Sequence, residues 1–273
     1  MNTHTITPPK VIAHRFGYAP EGEDHPRTAL IETLQSEAHS VELDVRCLED
    51  GTFVAHYSET VKDLYGKHHH LTDLTYKKFA WLYQHRNHQA PTTAEESLAR
   101  IAESGKEVFL DLKTLPDVAA ETKLLDMVRE TFENASRVSL TSRHPETLKH
   151  LHKARDVREQ PVNVVFPTGT KPHEDASFLN QTLHRVGGHF PRLDYARSGA
   201  DSIASWHVYA RRTVRRYCHS NNIPLHVYTV DDPLDLTYWM RPGRCHAVIT
   251  NDPETALSAG RLYMTTEPLI KGS

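Results

Sequence analysis

The alternation of strand-like and helix-like segments along the whole chain is the sequence feature that most restricts its fold. Short apolar runs rich in β-branched residues recur about eight times, and a segment with helical spacing of apolar residues follows nearly every one. No Pro-, Gly- or Ser-rich linker interrupts the series. Parallel strands that are joined by helical crossovers in one unbroken series favour a closed barrel.

We therefore predict an α/β protein, a (β/α)8 TIM barrel, as a single domain over residues 1–273 with its core at about 11–262. The chain length of 273 suits this architecture, which commonly occupies about 250 residues. The predicted barrel strands are residues 11–16, 40–48, 106–114, 137–142, 161–166, 199–204, 225–230 and 247–250. The predicted helices are 27–37, 75–83, 91–104, 116–134, 145–153, 175–184, 208–220, 233–240 and 253–262, and residues 63–74 are predicted to be a loop.

Composition limits the classes of partner and the cellular compartment. The formal net charge of −3 offers no electrostatic basis for binding nucleic acid or an anionic membrane. The N-terminus lacks the features of a signal peptide, and no window approaches the roughly 18 apolar residues of a membrane span. Three widely spaced cysteines suit a reducing compartment. We expect a cytoplasmic protein without a transmembrane segment.

Two acidic residues stand out on the second predicted strand. Glu42 and Asp44 are two positions apart, so their side chains leave the same face of the strand, while Val41, Leu43 and Val45 take the opposite face. Two neighbouring carboxylates in an apolar strand repel each other unless a cation lies between them, and a divalent cation with oxygen ligands meets that need. The alternative is an edge strand whose acidic face is exposed to water.

Further polar residues fall at the ends of other predicted strands. His14 and Arg15 end the first strand, and Asp111 and Lys113 lie two apart on the third. His56 follows the second strand through a turn at Asp50 and Gly51. In a parallel barrel the carboxyl ends of the strands surround one mouth, where active sites lie. The sequence therefore predicts that these side chains gather at a single site.

These motifs together resemble the glycerophosphodiester phosphodiesterases, a family of metal-dependent TIM barrels. The resemblance is carried by HRFGYAPE, VELDVRCLEDGTFVAHYSET, FLDLKT, IPLHVYTVDDPLDLTYWM and AVITNDPETAL, which together span nearly the whole chain. It implies that His14 and His56 act as general acid and base. It also implies the remaining roles: Glu42, Asp44 and Asp111 hold one divalent cation, Mg²⁺ or Ca²⁺, while Arg15, Lys113 and Tyr228 bind the substrate and its phosphate.

Several positions depart from the pattern of that family. They are Phe16 for Gly, Tyr57 for Asp, Asp111 for Glu, Tyr228 for Trp and Asn251 for Asp. In the loop after Phe16, Asp24 rather than Glu21 falls at the usual acidic position. We expect these changes to alter the entry loop and the fit of the substrate.

The function that this resemblance implies is that of a phosphoric diester hydrolase. It would cleave a small glycerophosphodiester to an alcohol and sn-glycerol 3-phosphate. Two alternatives stay open: cleavage of lipid phosphodiesters in the manner of lysophospholipase D or sphingomyelinase D, with peripheral lipid contact, and a catalytically silent barrel that acts as a binding protein. The sequence indicates no oligomeric state.

Overall fold

Eight parallel strands close into a barrel in the computed structural model, which describes residues 7–16, 27–114, 117–158, 161–168 and 192–265. The strands are β1 (Lys10–Ala13), β2 (Ser40–Cys47), β3 (Phe53–Ala55), β4 (Thr60–Lys62), β5 (His68–His70), β6 (Glu107–Thr114), β7 (Val138–Thr141), β8 (Asn163–Thr168), β9 (Ser202–Trp206), β10 (Leu225–Tyr228) and β11 (Ala247–Thr250). The predicted fold class is confirmed.

Closure of the barrel comes from the first strand. β1 pairs in parallel with β2, where Ile12 lies opposite Ser40, and with β11, where Lys10 lies opposite Ala247. The remaining order runs β11, β10, β9, β8, β7, β6, β2, and β3 pairs antiparallel with the far end of β2. The two chain ends of the barrel thus meet, and residues from β1 and β11 become neighbours.

Helices surround the barrel between successive strands. They are α1 (Arg27–Gln35), α2 (Tyr76–Asn87), α3 (Ala94–Ser104), α4 (Val118–Thr131), α5 (Pro145–Arg158), α6 (Arg192–Ser198), α7 (His207–Tyr209, a π-helical turn Ala210–Val214, and Arg215–Ser220), α8 (Pro233–Trp239) and α9 (Pro253–Thr265). In the described part of the chain, no helix combines the length and apolar character needed to cross a membrane.

Local sequence signals set the helix ends. At the start of α3, the Thr93 hydroxyl accepts a hydrogen bond from the Glu96 amide at 3.1 Å. Gly105 ends the same helix in the left-handed conformation, with φ of 80°, which glycine adopts without steric cost. Asp117 caps α4 in the same way as Thr93 caps α3. The helices predicted around 91–104 and 116–134 are therefore confirmed with slightly shorter bounds.

The two faces of each barrel strand have different surroundings. Val41, Leu43 and Val45 are buried in the layer between barrel and helices, together with Leu98 and Leu124. The opposite face of the strands points into the barrel, where a separate apolar cluster fills the interior. That cluster comprises Ile12, Phe109, Val165, Ala204, Ala247 and Ile249. The acidic residues of β2 and β6 lie on this inner face, above the cluster.

The structure differs from the sequence prediction in three places. The segment predicted as a loop, 63–74, contributes β5 to an antiparallel hairpin with β4 and then forms a 3-10 turn, Leu71–Asp73. Asp63 stabilises the hairpin turn by accepting bonds from two backbone amides, and the tip displays Tyr65, which is 97% exposed. The first strand ends at Ala13, whereas the prediction extended it to residue 16. The helix α6 was not predicted, because its residues show no clear apolar periodicity. The helix predicted at 175–184 lies outside the described residues.

One buried histidine makes the stability of the barrel depend on pH. His226 on β10 lies inside the barrel, with its ring 5.5 Å from that of Phe109 and 5.4 Å from that of His246. Burial lowers the pKa of His226 from 6.5 to about 3, and the neighbouring His246 acts in the same direction. Between these two pH values the unfolded chain binds a proton that the folded chain does not, so stability falls as the pH falls.

We predict that His226→Leu makes the free energy of unfolding less sensitive to acid. Between pH 7 and pH 5 the wild type should lose about 2 kcal/mol more than the variant, because only the wild type must keep this imidazole neutral. Urea unfolding at both pH values measures the difference. His219→Gln, at an exposed position on α7, is the control and should follow the wild type. Equal losses in wild type and His226→Leu would contradict the prediction.

Candidate active site

A cavity of about 660 Å³ opens at the carboxyl ends of the barrel strands. Six of the predicted site residues line it: His14, Arg15, Glu42, Asp111, Lys113 and Tyr228. Asp44 lies directly behind this lining, with 1% of its side chain exposed. The structure therefore brings seven of the eight predicted residues together, and the eighth, His56, takes a different position that is described below.

The acidic cluster is created by the register between β2 and β6. Asp44 lies directly opposite Asp111, and Glu42 precedes Asp44 by two residues on the same face. One carboxylate oxygen from each of the three acids lies within 4.8 Å of the others. Burial, reinforced by the charge of Asp44, raises the pKa of Glu42 well above its ordinary value. The cluster thus concentrates negative charge where water is largely excluded.

Two basic side chains offset part of this charge. The ammonium group of Lys113 contacts Asp111 and lies 2.7 Å from Asp44 Oδ1. Burial alone would lower the pKa of Lys113, but Asp44 and Asp111 raise it above its ordinary value, so the lysine is charged. Arg15 Nε lies 3.2 Å from the other oxygen of Asp44. Arg15 and Lys113 therefore balance part of the negative charge that the three carboxyl groups can carry.

A tight turn after β1 places Arg15 beside this cluster. Arg15 and Phe16 both adopt left-handed backbone conformations, with φ of 47° and 68°, which are costly for residues that have a Cβ atom. The Phe16 ring is fully buried, and its carbonyl accepts a bond from the Thr33 hydroxyl. The Arg15 amide donates to Glu42 Oε2 at 2.8 Å. These contacts stabilise the turn. The family pattern has glycine at the position that Phe16 occupies in this chain.

His14 is oriented by a chain of hydrogen bonds from β11 and the β10–α8 connection. Its Nδ1 lies 2.7 Å from Asn251 Oδ1, and Asn251 Nδ2 donates to Asp231 Oδ2 at 2.7 Å. Since the amide nitrogen of Asn251 donates to Asp231, its oxygen faces His14 and accepts a hydrogen bond from the protonated Nδ1. Nε2 of His14 is then the unprotonated nitrogen. Burial lowers the pKa of His14 to about 4, Asp44 opposes this shift, and the imidazole is neutral at pH 7.

His56 is not among the residues that line the cavity. Its backbone amide donates to the Asp44 carbonyl at 3.0 Å, so the residue begins next to the acidic cluster. The ring, however, is only 4% exposed and makes edge contacts with Phe79 and Tyr83 at 5.5 and 6.1 Å between centroids. Its Nε2 lies 3.4 Å from the Thr60 carbonyl oxygen. The structure thus places this histidine against the aromatic face of α2.

Aromatic side chains form the remaining walls. The Tyr57 ring lies 3.3 Å from the Arg15 guanidinium carbon and 5.1 Å from Lys113 Nζ, so it covers both cations. Tyr228 lines the cavity as predicted, and its hydroxyl donates to the Thr168 carbonyl at 3.1 Å. Burial raises the pKa of Tyr228, which keeps that hydroxyl protonated.

Three residues of the site were not predicted from the sequence. Asn251 was noted only as a departure from the family pattern, and Asp231 and Arg143 were not assigned a role. Asp231 belongs to a visible D-D pair at the end of β10, a position that in a parallel barrel faces the mouth. Arg143 follows the end of β7 in the same way. The strand-end rule could therefore have identified both.

The donor set of the acidic cluster fits a divalent cation. It consists of carboxylate oxygens only, which are the ligands that Mg²⁺ and Ca²⁺ prefer. Glu42 is buried among other acids, and a dipositive ion would relieve the repulsion that raises its pKa. The presence of Asp111 instead of glutamate keeps an oxygen donor at the third position.

The family model described as "Glycerophosphoryl diester phosphodiesterase family" matches residues 17–255 of the chain. That range includes six of the eight predicted site residues, all except His14 and Arg15, and it spans most of the barrel. A search of curated proteins found no match to the sequence.

Solved structures with the same fold cover nearly the whole chain. A glycerophosphodiester phosphodiesterase from Parabacteroides distasonis is 18% identical with a TM-score of 0.70, covering 95% of this chain and 98% of its own. One from Thermotoga maritima is 19% identical with a TM-score of 0.64, covering 94% and 99%. A phosphodiesterase from Oleispira antarctica, solved with the product sn-glycerol-3-phosphate, is 14% identical with a TM-score of 0.67, covering 92% and 96%.

The hydrogen bonds of His14 predict its protonation state. At pH 7 the imidazole should be neutral, with the proton on Nδ1, because Asn251 accepts it. Nitrogen-15 chemical shifts of the ring report the tautomer, and their titration should show a midpoint near pH 4. Asn251→Leu should remove the preference for Nδ1–H. A wild-type ring protonated at Nε2 at pH 7 would contradict this assignment.

Proposed function

The chain belongs to the glycerophosphoryl diester phosphodiesterase family, and from this premise we propose that it hydrolyses glycerophosphodiesters to an alcohol and sn-glycerol 3-phosphate with the aid of one bound divalent cation. The observation that carries the proposal is the single cavity in which a neutral imidazole, two basic side chains and a buried acidic cluster meet.

A cytoplasmic location is also proposed. It is supported by the three free cysteines, Cys47, Cys218 and Cys245, which form no disulfide.

Glu42, Asp44 and Asp111 are the residues that would hold the cation, either Mg²⁺ or Ca²⁺. When bound, it supplies Lewis-acid stabilisation of the negative charge that develops on the phosphoryl oxygens. The protein contributes a rigid frame for these carboxylates. β2 and β6 pair in regular register from Ser40 opposite Glu107 to Val45 opposite Leu112, and the Arg15 amide fixes the orientation of Glu42.

Arg15 and Lys113 are proposed to bind the phosphate. The guanidinium group offers several donors in one plane, whereas the ammonium group acts as a compact charge. The Tyr57 ring covers Arg15 and limits its rotamers, so the guanidinium is oriented before substrate arrives. Tyr228 also lines the cavity, and we propose that its aromatic ring contacts the esterified alcohol.

His14 is proposed as the general base. Its Nε2 accepts the proton of the attacking hydroxyl, which belongs either to water or to the glycerol group next to the phosphate. Asn251 and Asp231 keep the proton on Nδ1 and so preserve the accepting nitrogen. The pKa of about 4 keeps His14 unprotonated over the physiological range.

His56 is proposed as the general acid that protonates the leaving alcohol. Its backbone starts beside Asp44, but its ring contacts Phe79 and Tyr83 rather than the cavity. This role requires a nitrogen of the His56 ring to lie within hydrogen-bond distance of the leaving oxygen when substrate is bound. The assignment is separable from that of His14, because only His14 lines the cavity in the present structure.

We predict that the acidic cluster binds the cation directly. Asp44→Asn and Glu42→Gln should each weaken binding of Mg²⁺ or Ca²⁺ by about 10- to 100-fold, because each removes a charged oxygen ligand. Isothermal titration of the metal-free protein measures the affinity. Asp73→Asn, at an exposed position in a 3-10 turn, is the control and should bind as the wild type does. Unchanged affinity in both cluster variants would place the cation elsewhere.

The reaction itself is tested by release of sn-glycerol 3-phosphate from glycerophosphocholine and glycerophosphoethanolamine. We predict release that requires added cation, is abolished by EDTA, and falls about 10²- to 10⁴-fold in His14→Ala and in His56→Ala. His70→Ala, at an exposed position on β5, is the matched control.

The outcomes separate the individual assignments. Full activity of a folded His56→Ala variant would assign that residue to packing against α2 and leave His14 as the acid–base group. No release from any soluble diester by the metal-bound wild type would overturn the proposed reaction and direct attention to lipid phosphodiesters. A protein that binds no metal would indicate a silent barrel.

A further inference from the structure

Arg143 adds a third basic side chain to the cavity, beyond the two proposed to bind phosphate. It follows the end of β7 and lines the cavity. Its neighbours Thr141 and Ser142 are buried, and their hydroxyls donate to the Val165 carbonyl on β8 at 3.0 Å and to the Leu112 carbonyl on β6 at 2.9 Å. The strand end is thus anchored on both sides. Arg143 leaves a rigid part of the barrel rather than a free loop.

Arg143 has no acidic side-chain partner within the part of the chain that the structure describes. Among the described residues, no acidic side chain forms an ion pair or a hydrogen bond with it, whereas Lys113 and Arg15 both contact Asp44. Burial raises the pKa of Asp111, and the positive charges of Lys113 and Arg143 oppose that shift. A guanidinium group that faces a cavity without a protein partner is available to an anionic ligand.

The acids that line the described cavity already have partners. Glu42 accepts from the Arg15 amide, and Asp111 contacts Lys113. Asp231 accepts from the backbone and side chain of Asn251. The Tyr57 face, which could otherwise receive a quaternary ammonium group, is covered by the Arg15 guanidinium. The recognition groups left for the substrate are therefore biased toward negative charge.

We propose that Arg143 binds an acidic group on the leaving alcohol, so that the preferred substrates are glycerophosphodiesters whose alcohol carries a carboxylate or a second phosphate. This inference rests on the proposed reaction. The glycerol half of such a diester carries only neutral hydroxyls, and the phosphodiester carries one charge that Arg15 and Lys113 face. The leaving alcohol is the part of the substrate in which a further negative charge can occur.

The test uses four sn-glycerol 3-phosphoryl esters that share a two-carbon alcohol skeleton. Their alcohols are ethylene glycol, glycolate, ethylene glycol phosphate and choline, which are neutral, carboxylate-bearing, phosphate-bearing and cationic. The value of kcat/KM is measured with the full chain and saturating Mg²⁺ or Ca²⁺, from the release of sn-glycerol 3-phosphate. The choline ester is included because Trp206 also lines the cavity, and an aromatic ring can bind a quaternary ammonium group.

We expect the wild type to favour at least one of the two acidic esters over the neutral ester by about tenfold or more. Arg143→Gln should lose that preference while keeping its activity on the neutral ester within about threefold, because only the charged contact is removed. Arg143→Lys should retain part of the preference, since it keeps the charge without the planar fork. Arg129→Gln, on the outer face of α4, is the matched control and should behave as the wild type does.

Other outcomes would overturn the inference. Equal losses on all four esters in Arg143→Gln would show that the residue binds the common phosphate or maintains the fold. Wild-type preference for the neutral or choline ester, or identical profiles of wild type and Arg143→Gln, would show that it does not select an acidic alcohol. Those results would leave the proposed reaction intact. Absence of hydrolysis of all four esters by the metal-loaded wild type would overturn the proposed reaction as well.

Discussion

Asp44 opposite Asp111 on paired strands is the contact on which the site depends. Like charges in directly opposed positions destabilise a sheet, and burial increases the cost. The structure offsets that cost with Lys113, whose ammonium group contacts both carboxylates, and with Arg15. Burial and the charge of Asp44 nevertheless raise the pKa of Glu42 well above its ordinary value. A dipositive ion would relieve the repulsion among the three carboxyl groups and leave the site attractive to a phosphodiester.

The barrel closure connects this cluster to the acid–base machinery. β1 ends at Ala13, and the following turn carries His14 and Arg15 in opposite directions: the arginine toward Asp44 and the histidine toward Asn251. Only the pairing of β1 with both β2 and β11 makes the two contacts compatible. The strained backbone at Arg15 and Phe16 therefore helps to place these two side chains. The buried Phe16 ring and its hydrogen-bonded carbonyl supply the compensation.

Much of the fold could be predicted because periodicity is a local property. The two-residue spacing of Glu42 and Asp44 placed both on one face, and the structure has them there because the apolar residues between them pack against the helices. The hairpin of β4 and β5 was missed because its residues, including three consecutive histidines, lack the apolar alternation of a buried strand.

The parts of the site that escaped prediction depend on contacts between distant positions. His14 and Asn251 are 237 residues apart, and only closure of the barrel makes them neighbours. The rotamer of His56 depends on Phe79 and Tyr83, which belong to a helix that follows it by some twenty residues. Side-chain direction of this kind is a result of packing, and no spacing rule contains it.

The central claim is that Glu42, Asp44 and Asp111 together bind a divalent cation. The most direct measurement is the anomalous scattering from a crystal of the protein soaked with Mn²⁺, which takes the place of Mg²⁺ on oxygen ligands. We expect one strong peak within about 2.0–2.6 Å of carboxylate oxygens from all three residues. A peak at another position, or no peak at this cluster in crystals that have bound Mn²⁺ elsewhere, would contradict it.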